Sequence, residues 1–308
     1  MAISLTIGSP IFGYEDPMTR IAVLADIHGN LPAFEAVLND LATASVDEII
    51  LAGDLVGRGP QGSAVVKRAQ SLGLRSVRGN HEDYILSFRR REVPAEWLEA
   101  EEWGCSRWMA AELDESDIAY IDSFPFSTSP ATAESVKIFH GSPSSYNEGL
   151  GPWTDDAKVQ KYLIESGGDV LVCGHTHRPA QWHLPEGLAV NVGSVGLPFN
   201  SDTRAQYAIL TSGPEGWSAE ARMVAYDKEL VFAAYESTGF LANGGATALL
   251  LRHEVATARP FLVPFLKWAE ITERPPITES LDTFFEYFDP ELSIVDQFKR
   301  LAELQASR

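Results

Sequence analysis

Five short apolar runs in this chain each stop at residues able to bind a cation. "RIAVLA" (20–25) ends at Asp26 and His28, and "VDEIILAG" (46–53) ends at Asp54. "LRSVRG" (74–79) opens onto Asn80, His81 and Glu82, "SVKIFHG" (135–141) carries His140, and "DVLVCGH" (169–175) runs into His175 and His177. Runs of this length without polar alternation read as strands buried on both faces. "NLPAFEAVLNDLATA" (30–44), "GSAVVKRAQSLG" (62–73) and "DDAKVQKYLIESG" (155–167) lie between them and space their apolar residues helically, with Asn30 as an N-cap. Strand alternating with helix predicts a parallel α/β sheet. Such sheets hold ligands just past the carboxyl ends of their strands, which is where all five groups fall.

The histidines sharpen this reading. There are seven, and five of them (His28, His81, His140, His175, His177) sit in strand-end groups. Any one alone reads as a core or loop residue; five in equivalent positions read as one site. His183 and His253 have no such company and are expected to be structural. Imidazole, carboxylate and amide without thiolate suits Mn, Fe or Zn. The ligands outnumber one ion's needs, and a carboxylate such as Asp54 can bridge two. Two ions about 3.5–4 Å apart clamp an in-line displacement at phosphorus.

Composition excludes several alternatives. The net charge of −19 opposes a general grip on nucleic acid or on an anionic membrane. No run approaches the ~18 apolar residues of a membrane span. Two cysteines, Cys105 and Cys173, form no disulfide framework, which suggests a reducing, cytoplasmic setting. Cys173 reads as a small buried hydrophobe.

Four more short runs, "AQWHL", "LAVNVGS", "AQYAILT" and "AEARMVAY", predict antiparallel or mixed strands. Residues 83–123 read as a helical insertion whose Trp97, Trp103 and Trp108 pack it onto the sheet. Residues 1–17 read as a peripheral extension. From about 227 the pattern turns helical, through "DKELVFAAYESTG" and "TALLLRHEVATARPFLVPFLKWAE" to a polar closing helix near 291–306. "NGG" (243–245) marks a candidate hinge. The division is then a domain at 18–242 and a helical extension at 243–308, whose "FLVPFLKWAE" either packs on the domain or forms a face for a homo-oligomer.

The ordered set Asp26-x-His28, Gly53-Asp54, Gly79-Asn80-His81-Glu82, His140 and Gly174-His175-Thr176-His177 resembles the calcineurin-like metallophosphoesterases. "NVGSVGLP" (191–198), with the strand and helix after it, is similar to a compact, mostly prokaryotic subgroup, up to about residue 240. The resemblance implies an α/β fold, an αββα four-layer sandwich of two mixed β-sheets flanked by helices. It implies one ion on Asp26, His28, Asp54 and His177, and a second on Asp54, Asn80, His140 and His175, with Mn first and Fe or Zn as alternatives. His81 would face the scissile phosphate without binding metal, to protonate the leaving oxygen or stabilise its charge. Arg58 is a candidate for holding phosphoryl oxygens.

The expected activity is a dinuclear metal-dependent phosphoesterase acting on small phosphorylated substrates, of phosphodiester or nucleotide type, by in-line attack of a bridging hydroxide. The alternatives are a dinucleoside polyphosphate hydrolase, a Ser/Thr protein phosphatase, or a non-catalytic adaptor retaining its metals. "GDLVGRG" (53–59) has Gly57 where the protein phosphatases carry an aspartate that orients the catalytic histidine, so His81 lacks that partner.

Overall fold

The computed structural model describes residues 18–307, so the expected extension at 1–17 lies outside the described residues. The chain begins β1 (Arg20–Leu24), α1 (Leu31–Leu41), β2 (Glu48–Leu51), α2 (Gly62–Ser71), β3 (Arg75–Ser76). Helices α3 (Asn80–Arg90), α4 (Gly104–Glu112) and α5 (Glu115–Asp122) follow, and then β4 (Ser127–Thr128) and β5 (Val136–Phe139). Next come α6 (Asp156–Ser166), β6 (Val170–Cys173), β7 (Ala180–Leu184), β8 (Gly187–Asn191), β9 (Ala205–Gly213) and β10 (Gly216–Val224). Helices α7 (Lys228–Ser237), α8 (Phe240–Asn243), α9 (Gly245–Thr257), α10 (Leu262–Thr272), α11 (Leu281–Tyr287) and α12 (Ile294–Ala306) complete it.

Two five-stranded sheets face each other, in the orders β10-β9-β1-β2-β3 and β4-β5-β6-β8-β7. Strands β1-β2-β3 and β5-β6-β8 run parallel, β3 being an edge, while β9 and β10 in the first sheet and β4 and β7 in the second join antiparallel. The pleat explains why the central strands lack polar alternation. In β1, Ile21 and Val23 point between the sheets, while Ala22 and Leu24 join the layer under α1 and α2. In β6, Val170 and Val172 point inward, and Leu171 and Cys173 join the layer that includes Val159 and Leu163 of α6. The result is the four-layer sandwich expected. Burial pushes the Cys173 thiol up to about 12, so it packs as an inert hydrophobe.

The carboxyl-terminal helices share the layer formed by α1, α2 and α4. Leu250, Leu251, Phe261, Phe265, Trp268, Phe284 and Leu301 are all buried in it. The turn Asn243–Gly245 is packed as well: a Cβ on Gly104 of α4 would lie 2.5 Å from the Asn243 carbonyl, and Cys105 Sγ donates to the Gly244 carbonyl at 3.4 Å. The apolar stretch read as continuous helix breaks at Ala258–Phe261. Ala258 is left-handed (φ 53°), Pro260 brings no N–H, and Glu254 Oε1 accepts from the amides of Phe261 and Leu262 at 2.7 and 2.8 Å, starting α10 afresh. In the 83–123 region Trp97 and Trp103 stack on each other at 4.0 Å beside Phe88, and Trp108 packs edge-on against Phe240, so all three are used in packing. Among the described residues no helix is long and apolar enough to cross a membrane.

Candidate metal centre

The loops after β1, β2, β5 and β6 and the first turn of α3 converge where the carboxyl ends of the two sheets meet. All seven expected ligands, Asp26, His28, Asp54, Asn80, His140, His175 and His177, come together there. The loops turn sharply to deliver them. Asp26, His28, Asp54, Arg58, His175 and His177 all have positive φ, a conformation unfavourable for residues with a Cβ and found where a site over-determines its backbone. Gly79 allows a close approach: a Cβ there would lie 2.1 Å from Asp54 Oδ1.

Hydrogen-bond polarity indicates what the cluster needs. His28 Nδ1 lies 3.2 Å from the Val56 carbonyl, and His177 Nδ1 lies against the Leu197 carbonyl. A carbonyl only accepts, so both Nδ1 atoms donate. Burial, and then His177, hold the His28 imidazole well below its usual range, so it is neutral and its Nε2 carries a lone pair. That Nε2 faces His177 Nε2 at 3.0 Å. Asp26 Oδ1 stands 3.3 Å from His177 Nε2 and 3.7 Å from His28 Nε2, and this buried oxygen has no hydrogen-bond partner. Asp26 Oδ1 and the Nε2 atoms of His28 and His177 thus converge as a group that could hold a metal ion. The 3.0 Å spacing is that of two neighbouring ligands each about 2.1 Å from one ion.

The second half of the cluster has the same character. His140 Nδ1 donates to the Ala52 carbonyl at 2.9 Å, leaving Nε2 3.2 Å from Asp54 Oδ2 and 3.0 Å from Asn80 Oδ1. His175 Nδ1 is 2.9 Å from the same Asn80 oxygen. Burial opposes a charge on His140, but Asp54 outweighs it and raises the imidazole to about 10. The pull of Asp54 on His140 is that of a place suited to positive charge. Asp54 Oδ2 belongs to both halves, since it also lies 3.7 Å from His28 Nε2. The donor set of imidazole, carboxylate and amide oxygen fits first-row divalent ions, and the carbonyl-bonded Nδ1 atoms are the outer-shell supports such ligands use.

His81 and Arg58 lie beside the cluster. The His81 ring meets His28 edge-on at 4.9 Å, and its Nε2 accepts from Arg58 Nε at 3.0 Å. Burial lowers the His81 imidazole to about 3. A Cβ on Gly57 (φ 81°) would lie 2.5 Å from His81 Nδ1, so the ring occupies the room in which an aspartate side chain would begin. Arg58 is itself held from elsewhere: its Nη1 lies 3.6 Å from Glu254 Oε2, a fully buried carboxylate on α9. Asn30 is the N-cap expected. Its Oδ1 caps α1 at Ala33 and its Nδ2 donates to the Gly196 carbonyl at 2.9 Å.

Sequence reasoning named Glu82 without giving it a task. Its buried carboxylate accepts from the amides of Gly79, Asp54 and Leu55 at 2.7–2.9 Å, tying the two ligand loops together. Burial, reinforced by Asp54, raises it to about 7. Position three of a helix that starts at the motif was the available signal. Glu254 carried none.

The family model for calcineurin-like phosphoesterases matches residues 19–179, more than half of the chain. This chain is a calcineurin-like phosphoesterase. It is 28% identical over 239 residues to an uncharacterized protein of Methanocaldococcus jannaschii, covering 71% of this chain and 91% of that one. It is 26% identical over 203 residues to phosphodiesterase YfcE of Escherichia coli, covering 63% and 88%. A metallophosphoesterase structure from Sphaerobacter thermophilus superposes with a TM-score of 0.58 at 25% identity, covering 73% of this phosphoesterase and 100% of that chain. The phosphoesterase is thus a metal-dependent phosphoric ester hydrolase of the compact, prokaryotic type.

Proposed function

We propose that the phosphoesterase is a dinuclear hydrolase of small phosphodiesters or nucleotides. The observation that carries this reading is Asp54 Oδ2 shared between two groups of acceptors that have too few donors. We assign Asp26, His28, Asp54 and His177 to one ion and Asp54, Asn80, His140 and His175 to the other, with Mn first and Fe or Zn as alternatives. When bound, two such ions supply water made acidic enough to ionise near neutral pH and positive charge for the phosphoryl oxygens.

The protein's own groups orient and support. Glu82 fixes the Asp54 and Gly79 loops. The His175 amide donates to Asp26 Oδ2 at 2.9 Å, which leaves Oδ1 free to face the cluster. His81 turns its ring toward the scissile phosphate and interacts with the leaving oxygen, while Arg58 holds His81 and adds a permanent charge for phosphoryl oxygens. Glu254 is a positioning residue that acts through Arg58. A neutral, buried His81 engaged by Arg58 is a weak proton donor, which favours diesters and anhydrides with good leaving groups over protein phosphomonoesters.

The test is turnover of bis(p-nitrophenyl) phosphate against p-nitrophenyl phosphate by Mn-loaded protein, with metal content measured in parallel. Diester preference with two ions per chain supports the reading. One ion per chain refutes the dinuclear assignment, and two ions without turnover of either ester favour the adaptor.

A further inference from the structure

Helix α12 forms one wall of a groove that begins beside the cluster. This groove, ≈ 750 Å³ in volume, begins at His175 and Thr176 and runs between Trp153, Arg178 and Phe199 on one side and Val295 and Phe298 of α12 on the other. Its apolar residues are unusually exposed for their size: Trp153 56%, Val295 50%, Phe298 38%. Apolar surface this concentrated beside a reactive centre marks a binding site. The wall continues directly from the ligands, since Phe199 stacks on His177 at 4.5 Å and an interplanar angle of 13°.

Arg178 sets the chemistry. Its guanidinium lies 5.4 Å from the Trp153 ring and 5.8 Å from the Phe199 ring, and it pairs with no carboxylate among the described residues. In a chain with 43 acidic residues against 24 basic ones, its charge stays available to a ligand entering the groove. Arg259, likewise without an ion pair among the described residues, lines an adjoining cavity of ≈ 310 Å³ together with Arg178.

We propose that this groove takes the nucleobase of a nucleotide whose phosphoryl group lies at the metal cluster, with Trp153 and Phe298 stacking on the base and Arg178 donating to its acceptor atoms. The proposal rests on the phosphoesterase reading above and names its substrate class. A base offers a π-face to the rings and acceptor atoms to the guanidinium. An acyl chain would offer Arg178 neither, leaving a buried cation against hydrocarbon. The carboxyl-terminal extension then acts as the specificity element of the enzyme.

Calorimetric titration of the Mn-loaded full chain with AMP and with ribose 5-phosphate isolates the base, because the two ligands differ only there. One stacked base is worth about 1–3 kcal/mol, so AMP should bind at least about fivefold more tightly. In Phe298→Ala, and separately in Trp153→Ala on the opposite wall, that advantage should fall below about threefold. Affinity for ribose 5-phosphate should stay within about twofold in both variants. Both residues are substantially exposed, and they lie on different elements, so a folding defect in one leaves the other informative.

Equal affinities for the two phosphates, or a base advantage surviving both substitutions, would overturn the proposal. So would tighter binding of dodecyl phosphate than of AMP, which would give the groove to an acyl chain. Failure of the underlying reading looks different: ribose 5-phosphate binding would then be unchanged by Asp54→Asn or by removal of Mn, whatever the base contributes.

Discussion

The metal cluster and the groove beside it share His175, yet their construction differs throughout. The cluster is polar, buried and held by strained loops that each follow a strand, and each of its side chains lies within four residues of a strand end or helix start. The groove is apolar and open, and its far wall comes from a helix more than a hundred residues further along the chain. The contrast teaches where chemistry and selectivity reside. Strand ends set the positions of the side chains in the cluster, whereas the groove's far wall is a helix that owes its place to apolar packing.

The largest effect is expected on the polar side. Asp54→Asn removes the carboxylate common to both halves. It should lower metal affinity beyond the about 10–100-fold that loss of a supporting residue costs, and turnover should fall with it. Metal analysis after gel filtration checks this, and full occupancy in the variant would break the shared-ligand assignment. His81→Ala should leave both ions bound and slow diester turnover by roughly 10²-fold, the lower end for loss of a group acting at the leaving oxygen. An unchanged rate would remove His81 from the reaction.

Glu254→Gln tests whether the extension reaches across to the cluster. Gln keeps an acceptor for the start of α10 but loses the charge facing Arg58. Turnover should drop by roughly tenfold with metal content and KM little changed, because a positioning contact is lost. A loss of thermal stability alone, with normal turnover, would reduce Glu254 to a packing role.

The smallest effect is expected away from both halves. Burial raises Glu112 of α4 to about 7, while its carboxylate accepts from the Ser63 amide at 3.0 and 3.1 Å. Its pKa is higher in the folded protein than in the unfolded chain, so its contribution to stability is complete below about pH 4.5 and is lost as pH rises through 7. Glu112→Gln should therefore gain stability relative to the parent between pH 5 and 8, by at most about 3 kcal/mol, with turnover unchanged. Urea unfolding at several pH values measures it; a pH-independent difference would contradict the assignment.

Legibility in the sequence follows the same division. The paired sheets could be read because central strands buried on both faces leave continuous apolar runs. That seven side chains meet in one cluster could be read because each is local to such a run. The role of Glu82 was available only as a position, three residues into α3, since its partners Asp54 and Leu55 are on another loop. Gly57 was read as an absence, although in space it is the floor under the His81 ring. Glu254 is one acid among many, and its distance along the chain from Arg58 is closed only by packing of α9. The break before α10 was missed because it depends on that same buried carboxylate, and the groove was missed because Trp153 and Phe298 have no common pattern in the sequence.

The contact between Arg58 and Glu254 also bears on how such a protein can change over evolutionary time. One member lies on a catalytic loop and the other in the helical tail, and both Arg58 Nη1 and Glu254 Oε2 are buried without a hydrogen bond. A chain that exchanged its tail for another would strand the arginine, and one that lost the arginine would strand a fully buried acid. The two residues form a single heritable unit, and a tail with new selectivity must arrive with a carboxylate at this place or with a different residue at 58.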